Sequence, residues 1–222
     1  MLFDLLRDGL SMELIISLCA RVFIIFCVLP IHEFAHGYIA NKLGDPTARL
    51  SGRLTMNPLA HIDPLGSLMI ILVGFGYAKA VPVNIRNFKP SKRKAYMAIT
   101  ALAGPVSNII MAFIFMFLYC LIYYKFAVSE LMIYIALFFM YAAMVNISLA
   151  VFNLIPIPPL DGSRILSAVL PDRTYYKLMQ YERYIVLGVF ALIILGVLDK
   201  PLAIVTGLVQ QVIMGICSAP FI

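Results

Sequence analysis

The sequence predicts an all-α polytopic membrane protein of about five to six transmembrane helices, with a small membrane-associated β-hairpin and a re-entrant segment. Three observations carry this. Of the 222 residues 63% are apolar and 13% charged, whereas a soluble domain is roughly half apolar and about a quarter charged. Mean hydropathy is +0.97. Several apolar runs approach the roughly 20 residues that cross a bilayer core, and no stretch is polar enough to form a separate soluble domain. Residues 1–222 therefore read as one integral-membrane unit, with no internal repeat and no low-complexity segment.

Residues 1–12 are amphipathic and suit the interface. They lead into the run 13–39 without a small-residue cleavage site, so they do not read as a removable signal peptide. Arg21 lies within that first span and is expected to snorkel or face the bundle interior. Pro30 should kink the helix or free a carbonyl just before His32. Residues 46–56 alternate, with Thr47, Arg49, Ser51 and Arg53 on one face, which is a strand period. A second alternating piece, 78–84, could pair with it, Pro82 marking an edge. Between them, 57–66 is dense in turn residues, and the apolar run 68–75, with Gly74 and Gly76 near its end, is too short to cross. Re-entrant backbone is tolerated only where protein covers it or it lines a wet cavity.

The basic run 89–94 anchors the start of a second span, 96–124. Ala98, Ala101, Ala103, Gly104, Ser107 and Asn108 allow close helix approach there, Pro105 should bend it, and Asn108 reads as a helix–helix hydrogen-bonding residue or part of a site. A third span covers 130–154. Three prolines in four residues (Pro156, Pro158, Pro159) then hold the chain extended up to Asp161, which heads a short helix over 162–170 as an N-cap or serves as a ligand. After the polar stretch 171–183, two more spans are expected at 184–198 and 202–217.

The net charge is +6. In an apolar chain this reads as topology rather than a nucleic-acid footprint. Segments 42–94 and 155–183 share a face carrying thirteen Lys and Arg, against Arg7, Lys125 and Lys200 opposite. That face is expected to be cytoplasmic, in a multi-pass protein of the cell membrane, with His36 toward the cytoplasmic side. The four cysteines (Cys19, Cys27, Cys120, Cys217) sit in apolar segments without CxxC spacing and read as packed side chains.

The chemistry lies in His32-Glu33-Phe34-Ala35-His36. On a helix, positions i and i+4 share a face, so two imidazoles can meet one metal ion while Glu33 takes a proton from its water. Alone, the pattern arises by chance on solvated helices. Within an apolar span an unpaired carboxylate costs several kcal/mol, and a metal's charge removes that difficulty. Catalytic zinc takes three protein ligands and an open position. Candidates for the third are His61, Asp63 and Asp161, and Asp161 is preferred because rigid, proline-broken backbone presents it. Two rivals fit less well: a metal transporter should show repeats or several polar-lined helices, and a structural zinc site usually has four, often cysteine, ligands.

HEFAH together with NLIPIPPLDG (153–162) resembles the site-2 protease family of intramembrane zinc metalloproteases. NPLAHIDPLG (57–66) and AGPVSN (103–108) are also similar to motifs of its short bacterial members. The resemblance covers about residues 30–170, and the paired motifs are highly specific together. Ala80 departs from it, where many relatives have proline, and nothing resembles a PDZ or CBS insertion. The resemblance implies one Zn2+ per chain bound by His32, His36 and Asp161, with Glu33 as catalytic base. It implies a catalytic core over about 13–170, with the spans at 184–217 additional. It also suggests that Asn153 positions the substrate backbone or the oxyanion; His61 would line the water path, contact substrate or cap the turn. The substrate would be a transmembrane segment that unwinds locally, held by strand addition on 47–54 and 78–84. Anti-sigma factors and signal-peptide remnants are the substrates the resemblance suggests; the oligomeric state stays open.

Overall fold

The computed structural model describes residues 11–73 and 78–221; residues 1–10 of the expected interfacial stretch, and Gly74 and Gly76, lie outside them. The first helix among the described residues is α1 (Met12–Phe23), whose N-terminus is capped by the Ser11 side chain accepting from Leu14 N–H. It continues without a break through a π-turn, Ile24–Val28, into α2 (Leu29–Lys42). Pro30 explains the π-turn: its ring excludes the carbonyl four residues back and it has no N–H to give. The neighbouring Leu29 N–H reaches Ile24 O instead. The wider turn leaves Ile24, Ile25, Val28 and Leu29 buried while His32, Glu33 and His36 also face inward.

Among the described residues, four helical segments are long and apolar enough to cross a membrane: Met12–Lys42, Pro90–Phe126, Glu130–Asn153 and Asp199–Ser218. We name the helices of the last three α5 (Arg93–Phe126), α6 (Glu130–Asn153) and α10 (Asp199–Ser218). Their common core joins Ile24 and Val28 to Phe115 and Met116 of α5, Ala142 and Ile147 of α6, and Ile213 and Cys217 of α10. On the other side of α5, Leu102, Val106, Ile110, Phe113 and Phe117 recur at helical spacing and stay exposed. That apolar stripe suits lipid.

One expected span, 184–198, is shorter than a crossing requires, and the run 68–75 is short as its length implies. Residues 184–194 of that stretch belong to α9 (Glu182–Ile194), 13 residues long and thus about 20 Å. The run 68–75 lies mostly in α4 (Pro64–Val73), 10 residues long. The carbonyls of its last turn would be orphans in an apolar setting. The Arg21 guanidinium donates to Ile70 O at 3.1 Å and Ile71 O at 3.0 Å. Arg21 therefore does not snorkel; it closes the end of a neighbouring helix.

The β-hairpin is not there. Among the described residues no strand forms, and Thr47–Leu50 is a helical turn, α3. Asp45 sets this turn, accepting from Thr47 N–H and from the Thr47 hydroxyl. Gly52 then takes φ +67°, and the N–H groups of Arg53 and Leu54 fold back onto Ala48 O. The polar alternation of 47–53 is thus wound into a turn. Residues 78–84 are extended, but their N–H groups bond outward: Lys79 to His61 O at 2.8 Å, Val81 to the Glu33 carboxylate at 2.8 Å and Asn84 to the Asp45 carboxylate at 2.6 Å. No paired edge remains on which the expected two-strand docking could act.

Beyond α6, the prolines give an irregular link that ends in the short α7 (Asp161–Leu166). The chain then forms α8 (Asp172–Gln180) and α9 before α10.

Candidate metal centre

α2, α5 and α7 meet at the site. α2 presents His32 and His36 one turn apart, both about 95% buried. His36 Nε2 lies 3.1 Å from His32 Nε2, and Asp161 Oδ2 lies 3.4 Å from His32 Nε2 and 3.2 Å from His36 Nε2. Ligand atoms about 2.0–2.1 Å from a tetrahedral ion sit roughly 3.3–3.4 Å apart, so this triangle fits zinc and leaves a fourth position. Two imidazoles and a carboxylate are also a donor set that zinc takes. His32, His36 and Asp161 are the group of metal-competent side chains found among the described residues.

Each ligand is oriented from behind. His36 Nδ1 donates to Thr100 O of α5 at 2.7 Å, which fixes the tautomer that leaves Nε2 free for a metal. α5 can come this close because residue 104 is glycine. A Cβ there would lie 2.6 Å from His32 Nε2 and overlap His36 Nε2. Asp161 is not the N-cap of α7; Leu160 takes that position with extended backbone and no side-chain cap, leaving the carboxylate free to face the histidines. Gly162 lets α7 start against the end of α6, since a Cβ there would collide with the carbonyls of Leu154 and Ile155. Burial disfavours the charged Asp161 carboxylate, but attraction and hydrogen bonds from His36 and His32 outweigh it and hold the group well below the usual carboxylate range.

Glu33 is buried beside the first histidine and accepts from Val81 N–H at 2.8 Å through Oε2. One oxygen is thus anchored by the extended segment 78–84. Gly37, one turn after Glu33, admits Ala48, Leu54 and Val81, each 3.2 Å from where its Cβ would be. Asp45 fixes the far end of that segment, since its carboxylate also accepts from Asn87 Nδ2 at 2.7 Å. It is fully buried; burial raises its pKa, but hydrogen bonds from Thr47, Asn87 and Asn84 prevail and lower it.

A cavity of about 400 Å³ opens beside the metal set, lined by His32, Glu33, His36, Asp161 and Asn153 among others. Asn153, at the end of α6, donates Nδ2–H to Leu149 O at 3.0 Å. His61 does not border this cavity. It is buried, donates Nε2–H to Thr55 O at 2.8 Å and offers its carbonyl to Lys79, so the structure places it as a brace between the turn and segment 78–84. Asp63 accepts from Gly66 N–H at 2.9 Å at the start of α4 and stands outside the metal group. Asn108 is fully buried, and its amide has no hydrogen-bond partner among the described residues. Residue patterning did not single out Thr100, Gly104 or Val81 N–H as parts of the site. Gly104 was visible as a small residue in the stripe on α5, whereas backbone groups such as Thr100 O and Val81 N–H leave no mark in a side-chain pattern.

The family model for peptidase family M50 matches residues 20–197. Three similar chains carry the name "Putative zinc metalloprotease". YwhC of Bacillus subtilis (strain 168) is 43% identical over 69% of this chain and 70% of its own. Rip2 of Mycolicibacterium smegmatis is 28% identical over 78% and 65%. MJ0611 of Methanocaldococcus jannaschii is 39% identical over 61% and 62%. The chain thus spans about two thirds of the length of these relatives. No solved structure matches it. The matched region takes in HEFAH, Gly104 and the LDG segment, and on this ground the chain belongs to peptidase family M50, the site-2 proteases, as a zinc metalloprotease.

Proposed function

We propose that the chain hydrolyses peptide bonds within or next to transmembrane segments of other proteins, with His32, His36 and Asp161 holding one Zn2+ and Glu33 serving as the base. The observation that carries this is the 3.1–3.4 Å triangle of ligand atoms with a buried glutamate next to it, in a chain whose described residues include four membrane-length helices. A bound Zn2+ supplies a Lewis acid for the scissile carbonyl and brings the pKa of water toward about 7. Glu33, steadied through Oε2, accepts the proton of the attacking water and returns it to the leaving amine. Asn153 donates toward the developing oxyanion or the substrate backbone. A helix ties up its own carbonyls, so the substrate must unwind to enter, and the extended segment 78–84 is the backbone beside which it lies.

With four spans, the basic face from residue 42 to 94 and from 155 to 200 is cytoplasmic, and the metal set lies toward it. Residues 11 and 218 then share the opposite face, and Lys200 joins the basic side. α4 is a re-entrant piece held by Arg21. Residues 1–222 act as one unit, with the core about 13–170, in the cell membrane. Membrane-anchored regulators such as anti-sigma factors, or signal-peptide remnants, are the substrate classes that suit it.

Glu33→Gln tests the reading. The zinc ligands are untouched, so the variant keeps its zinc, while cleavage of a co-expressed single-span substrate falls by at least about 100-fold, the scale of a general base. Cleavage at the wild-type rate by Glu33→Gln would remove the assignment.

A further inference from the structure

Hydrolysis at the metal set leaves one charged group of the cavity without a task. Arg164 lines the same space as Glu33, Asn153 and Asp161. It sits in α7, three residues after Asp161, so a carboxylate that could have paired with it lies one turn away on the same short helix. That carboxylate faces His32 and His36 instead. Among the described residues the Arg164 guanidinium has no hydrogen bond or ion pair. Three arginines are tied to carbonyls: Arg21 to Ile70 and Ile71, Arg53 to Lys79, Arg93 to Arg86. Those side chains serve the framework, and Arg164 does not.

Its surroundings sharpen the point. Arg164 is half-buried, and the same cavity is lined by Leu29, Leu149, Phe152 and Val186. A half-buried cation in a largely apolar cavity, with no protein partner for its donors, gains from an anion that enters. The planar guanidinium presents a fork of donors that matches a carboxylate through two parallel hydrogen bonds. An extended peptide reaching the metal set passes through the space that Arg164 lines.

We propose that Arg164 is a specificity-determining residue that binds a carboxylate carried by the peptide to be cleaved. This rests on the protease reading and names the substrate chemistry. The carboxylate is either an Asp or Glu side chain near the scissile bond or a free C-terminus.

The test uses the full zinc-loaded chain in lipid nanodiscs and synthetic single-span Leu/Ala peptides interrupted by one Asn-Gly pair. One series carries Glu, Gln or Lys at each flanking position in turn; a second ends at those positions as free acid or amide. Wild type is expected to favour the carboxylate member in KM by about tenfold or more, the scale of a charge-assisted pair. Arg164→Ala abolishes the ratio, Arg164→Lys keeps part of it, and Arg164→Glu turns it toward the Lys peptide. A preference for Glu identifies the side chain, and one for the free acid identifies the terminus. Binding of the same peptides to Glu33→Gln, and to Glu33→Gln with Arg164→Ala, reads recognition without hydrolysis. If wild type fails to cleave yet the Kd ratio depends on Arg164, the protease reading falls and the carboxylate site stands. An absent ratio in both KM and Kd, or an equal effect of Arg164→Ala on charged and neutral peptides, overturns the proposal.

Discussion

At Gly104 two effects of one methyl group oppose each other. In the middle of a helix, alanine is favoured over glycine by about 1 kcal/mol. Here the added Cβ would sit 2.6 Å from His32 Nε2, and the imidazoles cannot retreat because His36 is tied to Thr100 O. Gly104→Ala is therefore expected to leave α5 at least as stable and to weaken zinc binding roughly 10- to 100-fold, the range seen when the support of a ligand is disturbed. Zinc titration alongside circular dichroism reads both effects, and unchanged affinity would show that α5 does not press on the ligands. The same scale explains which site residues the sequence revealed. His32, Glu33, His36 and Asp161 are side chains in spaced motifs and could be named. For His61 the irregular backbone around it leaves lining the water path, contacting substrate and capping the turn all open in the sequence, and its bond to Thr55 O ties it to the turn.

Between α2 and α5 the connecting segments are held by side chains acting on backbone. Asp45 binds one end of segment 78–84 and Glu33 its middle, so the segment needs no strand partner. The alternation of 47–53 was a fair strand signal, but Asp45-Pro46 opens a helical turn and Gly52 closes it, and local side-chain bonds won over period. The span expected at 184–198 was overextended for a related reason: apolar runs mark burial, while length decides crossing. Asp45 allows an acid test. Its folded pKa lies below the ordinary carboxylate value, so its contribution is fully present above about pH 4, the unfolded value, and declines as pH falls through the folded one. Asp45→Asn removes that dependence. The Tm gap between wild type and Asp45→Asn is expected to stay constant from pH 7 to 5 and to narrow below about pH 4. A gap that persists unchanged into acid would mean that Asp45 bonds equally well when protonated.

For the whole molecule, the membrane class and the core helices were legible in composition. The span count was not, because it turns on whether 10- and 13-residue helices cross or only dip. The two counts give opposite sides for the end of α10. Four crossings put residue 218 on the face shared with residue 11, so a phosphatase reporter joined after Ser218 should be active and a fluorescent one dark. The reverse pattern would restore a fifth crossing.

The central claim is that His32, His36 and Asp161 together hold the metal, and Asp161 is the ligand that the chain must bring from 125 residues beyond His36. Zinc content of the purified full chain, wild type against Asp161→Ala, tests it most directly. Wild type should carry about one Zn2+ per chain, and the variant, folded but reduced to two ligands, should lose it on dialysis against a mild chelator. An Asp161→Ala chain that keeps its zinc through that dialysis as firmly as wild type would contradict the account.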